Sequence, residues 1–440
     1  MKPRPGPPEG PWLVVGLARS GVAAAVALAE RGERVIGVDA GTPAGMRALE
    51  ETGVELHLNR DGVALLEKVR AVVKSPGVPA QAPAIAAARA RGLTVLGELE
   101  LGWRLLGNEF VAVTGTNGKT TTVELIGHIH REAGLPVAVA GNVGAAVSGL
   151  VGKTDGETTV VCEASSFQLE DTNTFAPEAA VLLNITPDHL DRHGTFAAYR
   201  AAKLEIFARQ GNDDVAVAPL GLGVEDLGGC ARRVCFGEGP GAALSLRAGE
   251  LWWEEQALLR VDELRLPGAH NVQNAMAAAA VCLARGIDAD AVRAGLRSFA
   301  GVRHRLEQVA VRDGVSWVND SKATNVASTL VALDAFAPGT IHLILGGQGK
   351  GQDFTALRGP IGRSCRAVYL IGEDAPRIAT ALEGVSAPVR ECGALERAVG
   401  DARAAARSGD VVLLSPACAS FDQFADFEVR GERFRELVGG

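Results

Sequence analysis

The sequence predicts an α/β protein of three domains, each built on a mainly parallel sheet with flanking helices. Three observations predict it. Short apolar runs alternate with Ala/Leu-rich stretches of helical period along nearly the whole chain, which is the βαβ pattern. Two of those runs, WLVVG and EFVAVTG, lead into glycine turns that open helices. The chain has 440 residues, and at roughly 100–200 residues per domain that is two to four domains. The expected divisions are residues 1–98, a Rossmann-like N-terminal domain; 99–301, a central domain of P-loop type; and 302–440, a Rossmann-like C-terminal domain.

In the first block, WLVVG reads as a buried strand, GLARSG as a turn, and VAAAVALAERG as a helix closed by Gly32. RVIGVD, VRAVVKSPGVP and LTVLGELE read as further strands, the second entering a turn at Ser75, Pro76 and Gly77. The preceding arm, MKPRPGPPEGPW, is rich in Pro and Gly and is expected to be disordered. In the second block EFVAVTG is followed by a helix from about Thr120 to Ala133, then by strands PVAVAGN, TTVVCEAS and AAVLLNIT. Residues 220–266 change character. RVCFG, ALSLRAGELWW and ALLRVDELRLPG are short and alternating, and read as an antiparallel edge or small subsheet. The helix of HNVQNAMAAAAVCLARG follows. The third block starts near Gly301, with strands VSWVNDS, IHLILGG, RAVYLIG and DVVLLSP.

Composition narrows the function. Hydrophobic residues are 47% and charged residues 22% of the chain, the balance of a soluble globular protein. A net charge of −8 without a basic run argues against nucleic acid as a partner. The longest apolar stretch, Ala275–Ala284, falls short of the roughly 20 residues that span a bilayer. The N-terminus has no apolar core for export. The seven cysteines show no metal-like pairing, and the C-x4-C of Cys230 and Cys235 has no second pair nearby. Reduced, mostly buried thiols in a cytoplasmic protein are expected.

The stretch VAVTGTNGKTTTVEL carries the chemistry. The common phosphate loop G-x-x-x-x-G-K-[ST] needs a glycine at position 113, which is Val113; the nearest is Gly115. Backbone N–H groups at a helix N-terminus still favour anions, and glycines let the backbone approach closely. Lys119 suits the β- and γ-phosphates of ATP and the Thr120 hydroxyl suits Mg²⁺. The ATP-binding residues expected here are Gly115, Thr116, Asn117, Gly118, Lys119, Thr120 and Thr121. The other glycine turn, GLARSG, lacks the middle glycine of the dinucleotide fingerprint, Ala18 standing in its place. Asp39 nevertheless ends the second strand where a ribose-binding acid belongs. An NAD-dependent dehydrogenase is therefore a rival reading of this block, although it has no use for the Lys-Thr loop. A nucleotide-driven switch or motor ATPase is a second rival, without an obvious Walker B strand.

More segments accompany the loop: CEASSFQLE, LNITPDHLDRHGT, YRAAKLEIF, LPGAHNVQNAMAA, RHRLE, NDSKATN, LGGQGKG and SPACASFDQF. In that order the chain resembles the Mur ligase superfamily, which uses the shorter G-x-x-G-K-[ST] loop. The match runs from Val14 to about Leu437 and is weakest at 220–262. The last four motifs resemble the branch that adds D-glutamate to UDP-N-acetylmuramoyl-L-alanine, and no D-N-P-R-type stretch of the diaminopimelate-adding branch is found.

The resemblance implies a cytoplasmic, monomeric ligase of peptidoglycan precursor synthesis, with no nucleic-acid or membrane partner. It implies ATP and two Mg²⁺ ions, and an acyl-phosphate route to the amide. By resemblance the catalytic residues are Lys119, Glu163, His189, Lys203 and Arg305. Thr120, Glu163, His189 and Lys203 hold metal, Lys203 as a carbamate, which needs a depressed amine pKa. Asn271, Asn274, Arg305 and Asp320 complete the ATP site. Arg19, Ser20, Asp39, Ser75, Gly77, Asn142, Gln168 and His189 face the UDP-linked substrate. After Asp39, Ala40 and Gly41 offer no side-chain donors, so contacts there must come from backbone. Thr324, Lys350, Ser420 and Phe427 bind D-glutamate, with Lys322 and Ser415 as further donors. His57, His128, His130 and His342 have no such support and are left as structural.

Overall fold

The computed structural model describes residues 2–43, 46–222, 227–266, 268–349 and 351–439. Among them, three sheets form. The chain divides into two compact units, Met1–Glu263 with Gln273–Arg297, and Leu264–Val272 with Ser298–Gly440. The first unit holds two of the sheets and the second unit holds the third.

The first sheet has five parallel strands in the order Glu55–Leu58, Val35–Asp39, Trp12–Val15, Ala71–Lys74, Thr94–Gly97. The chain runs outward on one side of Trp12–Val15 and then crosses to the other. That reversal opens a crevice at the carboxyl ends of the strands. Trp12–Val15 is buried throughout and the sheet is covered on both faces, as continuous apolar strands require.

The central sheet has nine strands. Five parallel ones stand in the order Val215–Pro219, Ala179–Leu182, Phe110–Thr114, Thr159–Glu163, Val137–Gly141. Register places Val113 beside Glu163 and Thr114 beside Leu182. The residues just beyond those positions therefore emerge at one edge, around the loop that follows Thr114. On the far side Arg232–Gly237 and then Leu244–Arg247 are still parallel, and Glu250–Trp253 and Gln256–Arg260 follow in antiparallel pairs in the same sheet. The edge read from residues 220–266 is thus an extension of the central sheet, and its RVCFG strand is parallel.

The third sheet has six strands in the order Glu307–Arg312, Val315–Asn319, Val411–Leu414, Ile341–Gly346, Cys365–Ile371, Val389–Gly393. All pairs are parallel except the first. Asn319 and Leu414 are register partners, which sets Asp320 and Ser415 side by side.

Two further expectations are corrected. The N-terminal arm is bound. Arg4 donates to the carbonyls of Trp103, Leu106 and Asn108 and pairs with Glu178, its guanidinium 4.8 Å from the Trp103 ring centroid. Lys2 pairs with Asp214. A planar guanidinium satisfies carbonyls at and just beyond the C-terminal end of the helix Glu98–Leu105, where helices leave acceptors without partners. Second, LTVLGELE is a strand only to Gly97, and Glu98–Leu105 is a helix. Its first-turn carboxylates are used at once. Glu98 accepts from Ser148 N–H at 2.7 Å, and Glu100 accepts from the N–H groups of Asn173, Thr174 and Phe175.

No helix among the described residues is long and apolar enough to cross a membrane. The seven cysteines are free thiols, five of them buried. Of the histidines left as structural, His130 bonds the Ile126 carbonyl, His342 sits between Tyr369 and Asp410, His57 meets Glu55, and His128 meets Glu132.

Candidate functional site

The loop after Phe110–Thr114 opens the helix Lys119–Glu132. Gly118 caps that helix at φ +86°, a left-handed conformation that favours glycine. A Cβ there would run into Asn274 Oδ1, so Asn274 packs directly on the loop. Asn271, one turn earlier on the same helix, is buried. Lys119 Nζ donates to the carbonyls of Gly115 and Thr116, both at 2.9 Å. The Thr120 hydroxyl donates to Glu163 Oε2 at 2.7 Å. The other oxygen of Glu163 accepts from Asn142 Nδ2 at 3.0 Å. A hydroxyl and a buried carboxylate side by side at a helix N-terminus form an oxygen-donor pair of the kind Mg²⁺ takes.

Lys203 is 2% exposed and donates to the Gly115 carbonyl at 2.7 Å. Burial, and next the charge of Lys119, lower its pKa to about 7. A substantial fraction of this amine is neutral near neutral pH, the form a carbamate requires.

His189 stands on an exposed turn in left-handed conformation, its ring 4.9 Å from that of Phe167 and its Nε2 3.5 Å from Asp188. Thr121 lies within the first turn of the loop's helix. Gln168 spends its amide oxygen on the backbone N–H and the hydroxyl of Ser165, both at 3.0 Å, closing a capping box.

At the crevice of the first sheet, a cavity of about 550 Å³ is lined by Gly16, Asp39, Asn59, Arg60, Gly77 and Val78, among others. Both oxygens of Asp39 accept backbone N–H groups, from Leu17 at 2.7 Å and Gly41 at 2.8 Å. The Ser75 hydroxyl donates to the Gly16 carbonyl. Arg19 opens the helix Arg19–Glu30, with Ser20 next in its first turn, and reaches across to the Asn142 carbonyl at 3.2 Å. This side of the molecule therefore joins Arg19, Asn142, Glu163, Thr120, Lys119, Lys203 and Asn274 in one connected set.

The second unit has its own cluster. Asp320 is buried, and accepts from Leu306 N–H at 3.2 Å and from the Ser415 hydroxyl at 2.7 Å. Burial raises its pKa to about 7. Arg305 contributes favourable charge to Asp320, and its buried Nε has no hydrogen-bond partner. Ser420 is buried, Thr324 follows the Asp320–Ala323 turn, and Phe427 opens the helix Phe427–Gly439. Lys322 Nζ lies 5.4 Å from the Phe427 ring centroid. Lys350 lies outside the described residues.

The sequence reading missed several polar groups here. Asn184 grips Asn117 through both its amide atoms. The Tyr199 hydroxyl bonds Thr116, and Lys203 lies 4.7 Å over its ring. Tyr199 and Lys203 are one turn apart on a helix, a spacing that was readable. Arg430 is buried and donates to the Ser321 hydroxyl and to the carbonyls of Ser321 and Cys418, pinning the two segments that carry Thr324 and Ser420. Asn59 and Arg60 line the same cavity as Ala40, and unlike it they carry polar side chains.

Three family models match in tandem: the Mur ligase MurD-like N-terminal domain over residues 11–97, the Mur ligase middle domain over 113–282, and the Mur ligase glutamate ligase domain over 304–418. The UDP-N-acetylmuramoylalanine–D-glutamate ligase of Pelotomaculum thermopropionicum is 43% identical, covering 97% of this chain and 96% of its own. That of Anaeromyxobacter dehalogenans is 44% identical over 97% and 96%. Among solved structures, the UDP-N-acetylmuramate–alanine ligase of Thermotoga maritima superposes with a TM-score of 0.61 at 21% identity, covering 98% of this chain and 99% of its own, a likeness of fold.

Proposed function

The chain belongs to the Mur ligase family, and on that premise we propose that it joins D-glutamate to UDP-N-acetylmuramoyl-L-alanine, with ATP, in peptidoglycan precursor synthesis. The dehydrogenase and motor-ATPase readings fall away, because the relatives along the whole chain are ligases. The observation that carries the reaction is the convergence of Lys119, Thr120, Glu163 and Lys203 on one short loop.

The alanyl carboxylate of the UDP-linked substrate attacks the γ-phosphorus of ATP, and the bond to the β,γ-bridging oxygen breaks. ADP and an acyl phosphate result. The amine of D-glutamate adds to the acyl carbon, loses a proton, and expels inorganic phosphate as the amide forms. Lys119, released from its own loop carbonyls by the stronger phosphate acceptor, carries positive charge to the transferring group. Arg305 offers a second cation from the C-terminal domain.

Thr120 and Glu163 would hold one Mg²⁺, and His189 with a Lys203 carbamate would hold a second. The ions, when bound, neutralise the phosphate charge. Asn142 orients Glu163 by donating from Nδ2 to the carboxylate oxygen that Thr120 does not take. Residues 1–98 take the UDP-linked substrate through Arg19, Ser20, Asp39, Ser75 and Gly77, joined by Asn142, Gln168 and His189. Residues 99–301 take ATP, with Asn271 and Asn274 flanking the loop residues and Asp320 reserved for the ribose. Residues 302–440 take D-glutamate through Thr324, Lys350, Ser420 and Phe427. On this reading the enzyme works in the cytoplasm as a monomer, without nucleic acid or membrane.

The test is phosphate release with ATP, Mg²⁺ and UDP-N-acetylmuramoyl-L-alanine across a panel of amino acids. Release with D-glutamate alone is the expected result. Release with a different amino acid moves the chain to a sister activity, and no acceptor-dependent release refutes the proposal.

A further inference from the structure

The turn after Ala71–Lys74 forms one wall of the nucleotide cavity through Gly77 and Val78, and one side chain of the central domain grips it. Arg192 Nη2 donates to the carbonyls of Pro76 at 2.8 Å and Val78 at 3.4 Å, on either side of Gly77. The same guanidinium lies over Phe167, its Cζ 3.9 Å from the ring centroid. Phe167 stacks on His193, with centroids 5.3 Å apart and planes 13° apart. His193 is held at both nitrogens, by Glu170 at 2.7 Å and the Ser166 hydroxyl at 3.0 Å. Its ring lies 5.2 Å from that of Tyr199 at an interplanar angle of 64°, and the Tyr199 hydroxyl bonds Thr116 of the phosphate loop at 3.1 Å. A continuous line of contacts thus runs from the cavity wall to the phosphate loop, and His189 borders it through Phe167.

The docking of the first domain on the central one has other fastenings. Lys74 is paired with Asp171, Gly97 N–H donates to the Asp171 carbonyl, and Arg4 and Glu98 make the bonds described above. What Arg192 holds is different, because it is the wall of the cavity itself. Arginine suits the place: its planar fork donates in its own plane while its face stays open to an aromatic ring, and a lysine ammonium does only one of these well.

Resting on the function proposed above, we infer that Arg192 is a positioning residue. Through the Pro76 and Val78 carbonyls it sets the cavity wall against the phosphate loop, so that the carboxylate of the UDP-linked substrate arrives at the phosphate to be transferred.

The experiment compares wild type, Arg192→Ala and Arg192→Lys in steady-state kinetics with each substrate varied in turn, in calorimetric binding of UDP-N-acetylmuramoyl-L-alanine, and in thermal melting. Loss of charged hydrogen bonds is expected to raise KM and Kd for the UDP-linked substrate about tenfold in Arg192→Ala. kcat falls as well, while KM for ATP and for D-glutamate changes less than about twofold. Arg192→Lys recovers part of the loss. Unchanged binding of the UDP-linked substrate in Arg192→Ala overturns the role. So does an equal rise in all three KM values with a lowered melting temperature, which is the mark of a structural fastening. Wild type that does not bind the UDP-linked substrate overturns the proposed function, and this role with it.

Discussion

Two lysines of this chain are almost equally buried, and their surroundings are opposite. Lys74, 1% exposed, ends a strand of the first sheet and is paired with Asp171, which also accepts Arg89 at 3.1 Å. Lys203, 2% exposed, lies beside the phosphate loop and has a carbonyl where Lys74 has a carboxylate. A buried cation with a counter-charge is a fastening, whose removal leaves a charge stranded. A buried amine facing a carbonyl and another lysine is driven toward its neutral, reactive form. The first region fastens the first sheet to the central one, and the second, on the proposed function, prepares chemistry.

The comparison breaks first at the charge that sits beside Lys203. Lys119→Ala is expected to lower phosphate release by about 10²–10³-fold or more, as for loss of one transition-state donor, with the melting temperature kept. Near-normal turnover refutes the phosphate role of Lys119.

Lys203→Met sharpens the contrast. Activity is expected to fall about a hundredfold, as for loss of a metal ligand or its support, while stability does not fall. In the unfolded chain the amine stays protonated to about pH 10.4, and in the folded chain it releases its proton near pH 7. The unfolded state binds more protons between those values, so wild type gains stability relative to Lys203→Met as pH rises through that window. Carbon-13 NMR with labelled bicarbonate is expected to show a carbamate at pH 8 that fades toward pH 5. No carbamate at pH 8 removes the metal-ligand reading of Lys203.

Asp171→Ala does the reverse. It strands the Lys74 ammonium and is expected to cost about 3–5 kcal/mol of stability, seen in denaturant unfolding, with kcat per folded molecule retained. An unchanged unfolding midpoint means that Lys74–Asp171 is no fastening, and the comparison fails.

Much of this was legible in the chain. The strands Trp12–Val15 and Phe110–Thr114 are short, continuous apolar runs ending in glycine turns, the pattern of strands buried on both faces. The loop was legible because Gly118, Lys119 and Thr120 are neighbours in sequence. The misreadings have physical causes. Pro and Gly in the arm suggested disorder, but one guanidinium meeting several helix-end carbonyls outweighs composition. GELE looked like more strand because Glu98 and Glu100 find their N–H donors only at 148 and 173–175. Arg192 and Arg430 were passed over because their acceptors lie far along the chain, at Pro76 and at Ser321.

By itself, the sequence determined the α/β class, the order of the three sheets, the phosphate loop and the family, since each is written in adjacent residues or short periods. The tertiary structure decided which carboxylate meets Thr120, how burial lowers the Lys203 pKa, and which arginine grips the turn beside the first-sheet cavity. Those depend on parallel register, which aligns the ends of strands distant in sequence, and on burial, which sets the cost of a charge. Neither is a property of any short stretch of chain.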